Sequence, residues 1–484
     1  MVNKKKKKII NVAPRTFIGR KQELAALRSL EFQERAAIVI VYGRRRVGKT
    51  TLVEHVFKDR SILKIEGVEG GSKIRQIETA LTMLSIQFKD PTIARLRFTR
   101  WLEFFEYLSR FLEVGSHTLY LEELQWLASY DDELISDFKL IWDNKLSKNT
   151  SLIVVLCGSS PSFMLGNVIR SKALYGRSQH EIHIEPFTFQ ETRDFFGASY
   201  SLSSVMDSYL SVGGVPEYLS YLRKTKSTYV ELCKQSFAKN GYFLNECERV
   251  FVSSLGRNRH YRKIIEFLAK NRFATRNTIA EAVHVESGGS LTTLLFELEL
   301  SGFVSSYVPY DKKDGSKLVR YEIADQYLQF YYRFIAPIKK RVDEGSFAEN
   351  PTKALNLNDY HQWLGYSFER WCRRNHAKIS KILGFNAVQY DVGPYFSKST
   401  PVGFQIDLLF SRADKVMTIC EIKYTKMPTP KSVVKEFDQK LQHLVVPPRY
   451  SIERVLISAE GADDGLKEMG YFDSIIDLEA LVGV

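Results

Sequence analysis

The run Val39-Ile40-Val41-Tyr42-Gly43-Arg44-Arg45-Arg46-Val47-Gly48-Lys49-Thr50-Thr51-Leu52-Val53 fits the pattern G-x-x-x-x-G-K-[ST]. It constrains the fold more than any other stretch, because the pattern works only between the end of a buried strand and the start of a helix. Ala37 to Val41 is apolar and rich in β-branched residues and reads as that strand. Gly43 and Gly48 permit the backbone turns, and from Thr50 onward a helix opens whose free N–H groups point at phosphate. In such a loop Lys49 neutralises the β- and γ-phosphates and the Thr50 hydroxyl holds Mg²⁺. The chain is therefore expected to bind a nucleoside triphosphate with Mg²⁺ through Gly43, Arg44, Arg45, Arg46, Val47, Gly48, Lys49, Thr50 and Thr51. The three arginines are left open between solvent and contact with a partner.

At 484 residues the chain exceeds what one core organises, and 44% hydrophobic content is ample to bury about three domains. Cys157, Cys233, Cys247, Cys372 and Cys420 are scattered, with no C-x-x-C pair, which argues against zinc sites and a disulfide framework and suits a reducing, cytoplasmic setting. No apolar run approaches the ~18 residues of a membrane span. Lys4 to Lys8 read as a basic arm rather than a leader, since the apolar stretch that follows is too short for a signal peptide. The net charge of +13 fits contact with DNA or another polyanion, and it fits plain solubility equally well.

A nucleotide-binding α/β core needs a second strand that ends in an acid. Thr118-Leu119-Tyr120-Leu121-Glu122-Glu123 supplies two carboxylates at the strand end, where ligands sit in open α/β sheets. Glu122 is assigned to the Mg²⁺ shell and Glu123 to the attacking water. A third strand, Ser151 to Cys157, ends in Gly158-Ser159-Ser160-Pro161, where a hydroxyl can polarise the γ-phosphate or simply start a turn. Farther on, Arg177 of Tyr175-Gly176-Arg177 is a candidate to stabilise transition-state charge, in cis or from a neighbouring subunit.

Phe17-Ile18-Gly19-Arg20-Lys21-Gln22-Glu23-Leu24, Gly-Arg-Arg-Arg-Val-Gly-Lys-Thr, Leu-Glu-Glu-Leu-Gln-Trp, Cys-Gly-Ser-Ser, Tyr-Gly-Arg and Gly213-Gly214-Val215-Pro216-Glu217-Tyr218 together resemble the archaeal-type ATPases of the AAA+/STAND group over about residues 14 to 335. The resemblance implies an ATP-hydrolysing core, adenine near Phe17 to Arg20, and a helical lid that starts at the Gly-Gly-Val-Pro segment. That family usually has Asp where Glu122 stands.

Between Arg259 and Ile335 the pattern shifts to short amphipathic helices at His260 to Asn271, Thr275 to Val283 and Ser290 to Ser301. Phe303 to Tyr310 and Lys317 to Ile323 then flank a turn-rich insertion at Asp311 to Gly315. Three helices and a hairpin make a winged helix. Its third helix is leucine-rich and carries Glu297 and Glu299, which suits packing better than approach to DNA phosphate.

Near the end, Gly403 to Phe410 and Val416 to Tyr424 read as a hairpin. With the turn centred on Asp414, paired residue numbers sum to 828, so Asp407 opposes Glu421 and Lys423 points to the same side. Opposed carboxylates destabilise a sheet unless a cation compensates, which points to a Mg²⁺ site or to a salt-bridged cluster. Glu369, on the amphipathic helix at Tyr366 to Cys372, precedes them. The set resembles the PD-(D/E)XK nuclease superfamily over about residues 359 to 484. That resemblance makes Asp407 and Glu421 metal ligands, Lys423 the group that orients water or steadies phosphorane charge, and Glu369 an assistant. A later helix, Lys431 to Leu444, brings Lys435 or Gln439 toward the site.

The expected architecture is a multidomain α/β chain: a basic arm (1–13), a P-loop AAA+-type core (14–190), a helical lid (191–257), a winged helix (258–335), a linker (336–358) and a PD-(D/E)XK nuclease-like domain (359–484). The expected activity is ATP hydrolysis coupled to metal-dependent action on DNA, with a protein partner or a second copy as a further partner. A nucleotide-gated switch or scaffold with a non-cleaving C-terminal domain is the alternative.

Overall fold

The computed structural model describes residues 17–254, 258–310, 319–397 and 404–483. The basic arm and the insertion at 311–315 lie outside them. Five strands, β1 (Ala37–Tyr42), β2 (Ser61–Glu66), β3 (His117–Glu122), β4 (Ile153–Gly158) and β5 (Ser178–His183), form a parallel sheet in the order β2-β3-β4-β1-β5. Its central strands are continuous apolar runs because both faces are covered. Ile38 and Ile40 enter the core that also holds Phe104, Phe105 and Phe138, whereas Ala37, Val39 and Val41 enter the opposite one with Leu52 and Val53.

Register fixes where chemistry can occur. Tyr42 lies beside Gly158 and Glu66 beside Glu122, so the glycine-rich loop, the two glutamates and Ser159 all leave one edge of the sheet. The edge strands were not anticipated. β5 reads Ser-Gln-His-Glu-Ile-His and is mostly half-exposed, so no apolar alternation marks it.

Helices Leu202–Val212 and Pro216–Leu222 follow the sheet, and then helices Arg259–Lys270, Arg276–Val283 and Gly289–Leu300 close on a small antiparallel sheet of β6 (Ala274–Thr275), β7 (Val304–Tyr307) and β8 (Arg320–Ile323) in the order β6-β8-β7. These helices fall within a residue or two of the expected bounds. Leu291, Leu294, Leu295 and Leu298 are buried, and their helix packs against the turn Pro161–Phe163 that follows β4.

The last sheet has the order β13-β12-β11-β10-β9. Its strands are β9 (Tyr390–Ser397), β10 (Phe404–Arg412), β11 (Val416–Lys423), β12 (Ser451–Ser458) and β13 (Ser474–Ile476). β9, β10 and β11 run antiparallel, and β12 and β13 continue parallel to β11. Leu408 faces Cys420 and Leu409 faces Ile419, the register whose numbers sum to 828. The long helix Leu357–Arg374 covers one face through Leu364 and Phe368, and helix Val433–Gln442 covers the other through Val433, Val434 and Phe437.

Residues 336–358, expected as a linker, are packed structure. They contain helix Lys339–Asp343 and the turn Pro351–Ala354, which rests on helix Thr228–Phe237. Val342 and Leu355 are buried in a core that runs from the helices after β5 into the C-terminal sheet.

A loop-bound nucleotide pocket and a second, carboxylate-lined cleft

The loop after β1 is held in shape by the chain's own contacts. A Cβ on Gly43, which has φ 150°, would lie 2.2 Å from the Ile184 carbonyl oxygen, so only glycine lets the chain pass there. Gly48 has φ 94° and leads into helix Lys49–Val56, which begins one residue before the expected Thr50. Buried Lys49 donates to the Gly43 and Arg44 carbonyl oxygens at 2.9 and 3.0 Å, so its ammonium already lies inside the loop.

Thr50 donates its hydroxyl to Glu122. The longer glutamate therefore reaches the hydroxyl. Glu122 also accepts from the Tyr120 hydroxyl at 2.9 Å and pairs with Lys64 at 2.7 Å. Lys64, on edge strand β2, had no sequence signal of its own beyond an apolar-polar alternation. Glu123 sits in the left-handed region at φ 51°. It accepts from Gln125 at 2.7 Å and from the Ser159 amide at 3.2 Å, with the Ser159 hydroxyl also donating to it. Ser159 therefore touches the water-orienting candidate directly.

Around these groups lies a pocket of about 870 Å³, lined by Phe17, Arg45, Arg46, Val47, Thr51, Phe195 and Arg223 among others. Phe17 stacks on His55 with ring centroids 4.3 Å apart. Arg177 is not in this pocket. Ser178 pairs with Ile38, which puts Arg177 at the opposite edge of the sheet, half-buried and bound to Asp143 at 2.9 and 3.0 Å. A role for it in its own pocket is thereby excluded by geometry.

The three loop arginines answer the question the sequence left open. Buried Arg44 pairs with buried Asp325 and lies over the Phe303 ring at 5.0 Å. Arg45 lies over Trp126 at 5.8 Å. Arg46 pairs with buried Glu246, lies 3.5 Å from Glu217, and stacks on Tyr242 at 5.2 Å. Arg44 and Arg46 are thus held by acids of this chain, whereas Arg45 stays exposed.

Arg46 has φ 73°, a conformation that costs a non-glycine residue on the order of 1–3 kcal/mol. The ion pair with Glu246 offsets that cost. Arg46→Gly is expected to relieve the backbone yet take from buried Glu246 its close cation, leaving it the Tyr218 hydroxyl at 2.7 Å and Arg249 at 4.0 Å, for a net loss of about 2 kcal/mol. A lowered melting temperature that Glu246→Gln restores in the double variant is the expected result, and an unchanged or raised one overturns this account.

A second cleft, of about 900 Å³, opens on β10 and β11. Glu369, Asp407, Glu421 and Lys423 all line it, with Arg272, Gln439 and Lys440. Asp407 accepts from the Ile422 amide and the Gln405 side chain, both at 3.2 Å. Burial, with Glu369 and Glu421 nearby, pushes its carboxyl up to about 7. Burial also raises Glu369, against the pull of Arg272 and Arg373. Glu421 is buried, and Lys440 donates to both of its oxygens at 2.9 and 2.7 Å while Lys423 approaches one at 3.0 Å. Burial would lower the Lys423 ammonium, but Glu421 and Glu436 outweigh it and hold it above the usual range.

The later helix therefore presents Gln439 to the cleft wall and Lys440, which was missed, to the carboxylate; Lys435 does not line the cleft. The signal was available. Val433, Val434 and Phe437 are the buried face, so the (i, i+4) pair Glu436 and Lys440 shares another. Among the described residues no three His, Cys, Asp or Glu side chains converge closely enough to hold a metal by themselves.

The helix carrying Glu369 is tied back to the middle of the chain. Arg373 donates to both Glu322 oxygens at 2.8 and 2.7 Å, and Arg374 to the Ala324 carbonyl at 2.8 Å and Ser305 at 2.9 Å. Arg370 donates to Gln329. Of these partners Glu322, Ala324 and Gln329 lie within four residues of Asp325, the residue that Arg44 holds.

Residues 17–222 match the model of an ATPase domain predominantly from Archaea, and residues 331–436 match a family of archaeal and bacterial proteins of unknown function. An uncharacterized protein, MJECL04, of Methanocaldococcus jannaschii is 26% identical over 84% of this chain and 87% of its own length. An uncharacterized ATP-binding protein, MJ0423, of the same organism is 41% identical over 10% of this chain and 78% of its own. Among solved structures, a Walker-type ATPase of Pyrococcus abyssi is 18% identical with a TM-score of 0.48, covering 66% of this chain and 96% of that one. The ORC2 protein of Aeropyrum pernix is 12% identical with a TM-score of 0.45, covering 70% and 98%.

Proposed function

We propose that this chain, whose residues 17–222 match the model of an archaeal ATPase domain, uses ATP to control a metal-dependent, nuclease-like domain that acts on DNA. In this reading residues 258–335 are a winged helix and the C-terminal sheet is a PD-(D/E)XK core. The observation that supports it is the meeting of Asp407, Glu421, Lys423 and Glu369 in one cleft, with Asp407 pushed up to about 7 by burial and by Glu369 and Glu421 beside it. A divalent cation bound between Asp407 and Glu421 would favour the ionised carboxylate.

At the first site Lys49 would bind the phosphates, Thr50 and Glu122 would hold Mg²⁺, and Glu123 would position water. Arg177, half-buried on the far edge, could reach only a neighbouring copy's pocket. At the second site Asp407 and Glu421 would hold the metal, which supplies Lewis-acid charge to a phosphodiester. Lys423 stands two residues from Glu421 on the same strand face, placed to steady charge on a phosphate.

A second reading is favoured by one contact. Lys440 holds both Glu421 oxygens, as a structural salt bridge would, which fits a nucleotide-gated switch whose last domain does not cut. Supercoiled plasmid incubated with the full chain, Mg²⁺ or Mn²⁺, and with or without ATP separates the two. Nicking that disappears in Glu421→Ala is expected. Intact plasmid, linear and single-stranded DNA under every condition overturns the nuclease reading and leaves the switch.

A further inference from the structure

The C-terminal cleft contains one side chain that does not come from the C-terminal domain. Arg272 belongs to the short segment between helix Arg259–Lys270 and β6, more than eighty residues before the helix that forms the cleft wall. It donates to Glu369 at 3.2 Å and lies over the Tyr366 ring at 4.6 Å. Its side chain is 52% exposed at this open cleft, and that bond is its one hydrogen bond among the described residues. A guanidinium carries five N–H donors, so most of this one's capacity faces the cleft unspent.

The placement of Arg272 is built rather than incidental. Its neighbour Phe273 packs against Phe396 of β9, and Arg320 of β8 lies over both rings at 3.9 and 4.3 Å. Tyr310 donates its amide to the Pro394 carbonyl at 3.1 Å, and a Cβ on Gly393 would meet the Val308 carbonyl at 2.9 Å. These contacts clamp the middle unit onto the strand beside β10. Arg272 is therefore fixed across from Asp407, Glu421 and Lys423.

We propose that Arg272 is a phosphate-binding residue of this cleft, making the site a composite of the 258–335 unit and the C-terminal domain. This rests on the reading of the cleft as a DNA site. Stacking on Tyr366 keeps the guanidinium plane steady, and its unused donors take a phosphodiester oxygen in the bidentate geometry that arginine suits. Glu369 then has a positioning role: it orients Arg272 rather than the reacting atoms. The winged-helix unit meets DNA here through its edge, not through helix Gly289–Leu300, whose leucines are spent on packing.

The test is fluorescence anisotropy of a labelled duplex and a labelled single-stranded oligonucleotide against the full chain in EDTA, as a function of salt, for wild type, Arg272→Ala, Arg272→Lys and Lys423→Ala. Arg272→Ala is expected to weaken binding about tenfold and to reduce the salt slope by about one, with Arg272→Lys recovering the slope but only part of the affinity. A merely structural role would not move the slope by one contact. Wild-type binding with an unchanged slope and affinity in Arg272→Ala overturns this assignment alone. Tighter binding in Arg272→Ala overturns it too, since that makes Arg272 an obstruction. No binding by wild type overturns the DNA reading and this assignment together.

Discussion

Lys49→Ala is expected to reduce ATP turnover by at least about 100-fold, to background, while leaving the fold in place. Among the described residues the ammonium donates to the Gly43 and Arg44 carbonyls of its own loop, so it supports loop shape rather than a distant element. Its loss therefore falls on phosphate binding. Phosphate release and binding of a fluorescent ATP analogue both report it, and turnover at the wild-type rate removes the loop from the mechanism. Glu123→Gln separates the two halves of the site. That variant keeps the oxygen that accepts from Ser159 and retains ATP, but loses the carboxylate that orients water, so binding persists while release of phosphate fails.

How much of this was legible depended on how local each signal was. The loop, the paired glutamates and the hairpin register were all readable because each is set by spacing within one or two adjacent elements. Asp407 and Glu421 are fourteen residues apart around one turn, and the period of two in a strand suffices to place them together. Lys64 and Arg272 carried no such signal, since each arrives from a separate element and only the packed sheet or the domain contact brings it to its carboxylate. β2 and β5 were missed because edge strands are half-solvated and lose the apolar run that marks their central neighbours. The packed 336–358 segment was read as a linker because its buried residues, Val342 and Leu355, are too few for periodicity to show.

The arginines of the loop show a further limit, because sequence alone gave them no partners. Arg44 and Asp325 are 281 residues apart and both almost fully buried, so removing either partner leaves an uncompensated charge in a low-dielectric site. Arg44→Met or Asp325→Asn alone is expected to cost about 3–5 kcal/mol. Asparagine still caps helix Gln326–Phe330 by accepting from the Leu328 amide, as Asp325 does at 2.6 Å, so the loss in that variant is electrostatic rather than a lost cap. The double variant removes both charges and is expected to lose much less than the sum of the singles, a coupling that a double-mutant cycle on melting temperature reads. Stability and communication then part company. Glu322 and Gln329, which bind Arg373 and Arg370 of the helix carrying Glu369, stand within four residues of Asp325. The double variant, though folded, should lose any ATP-dependent change in amide exchange across Leu357–Arg374 that wild type displays. Equal ATP responses in the two proteins would show that the loop reaches the distal cleft by a route other than Arg44.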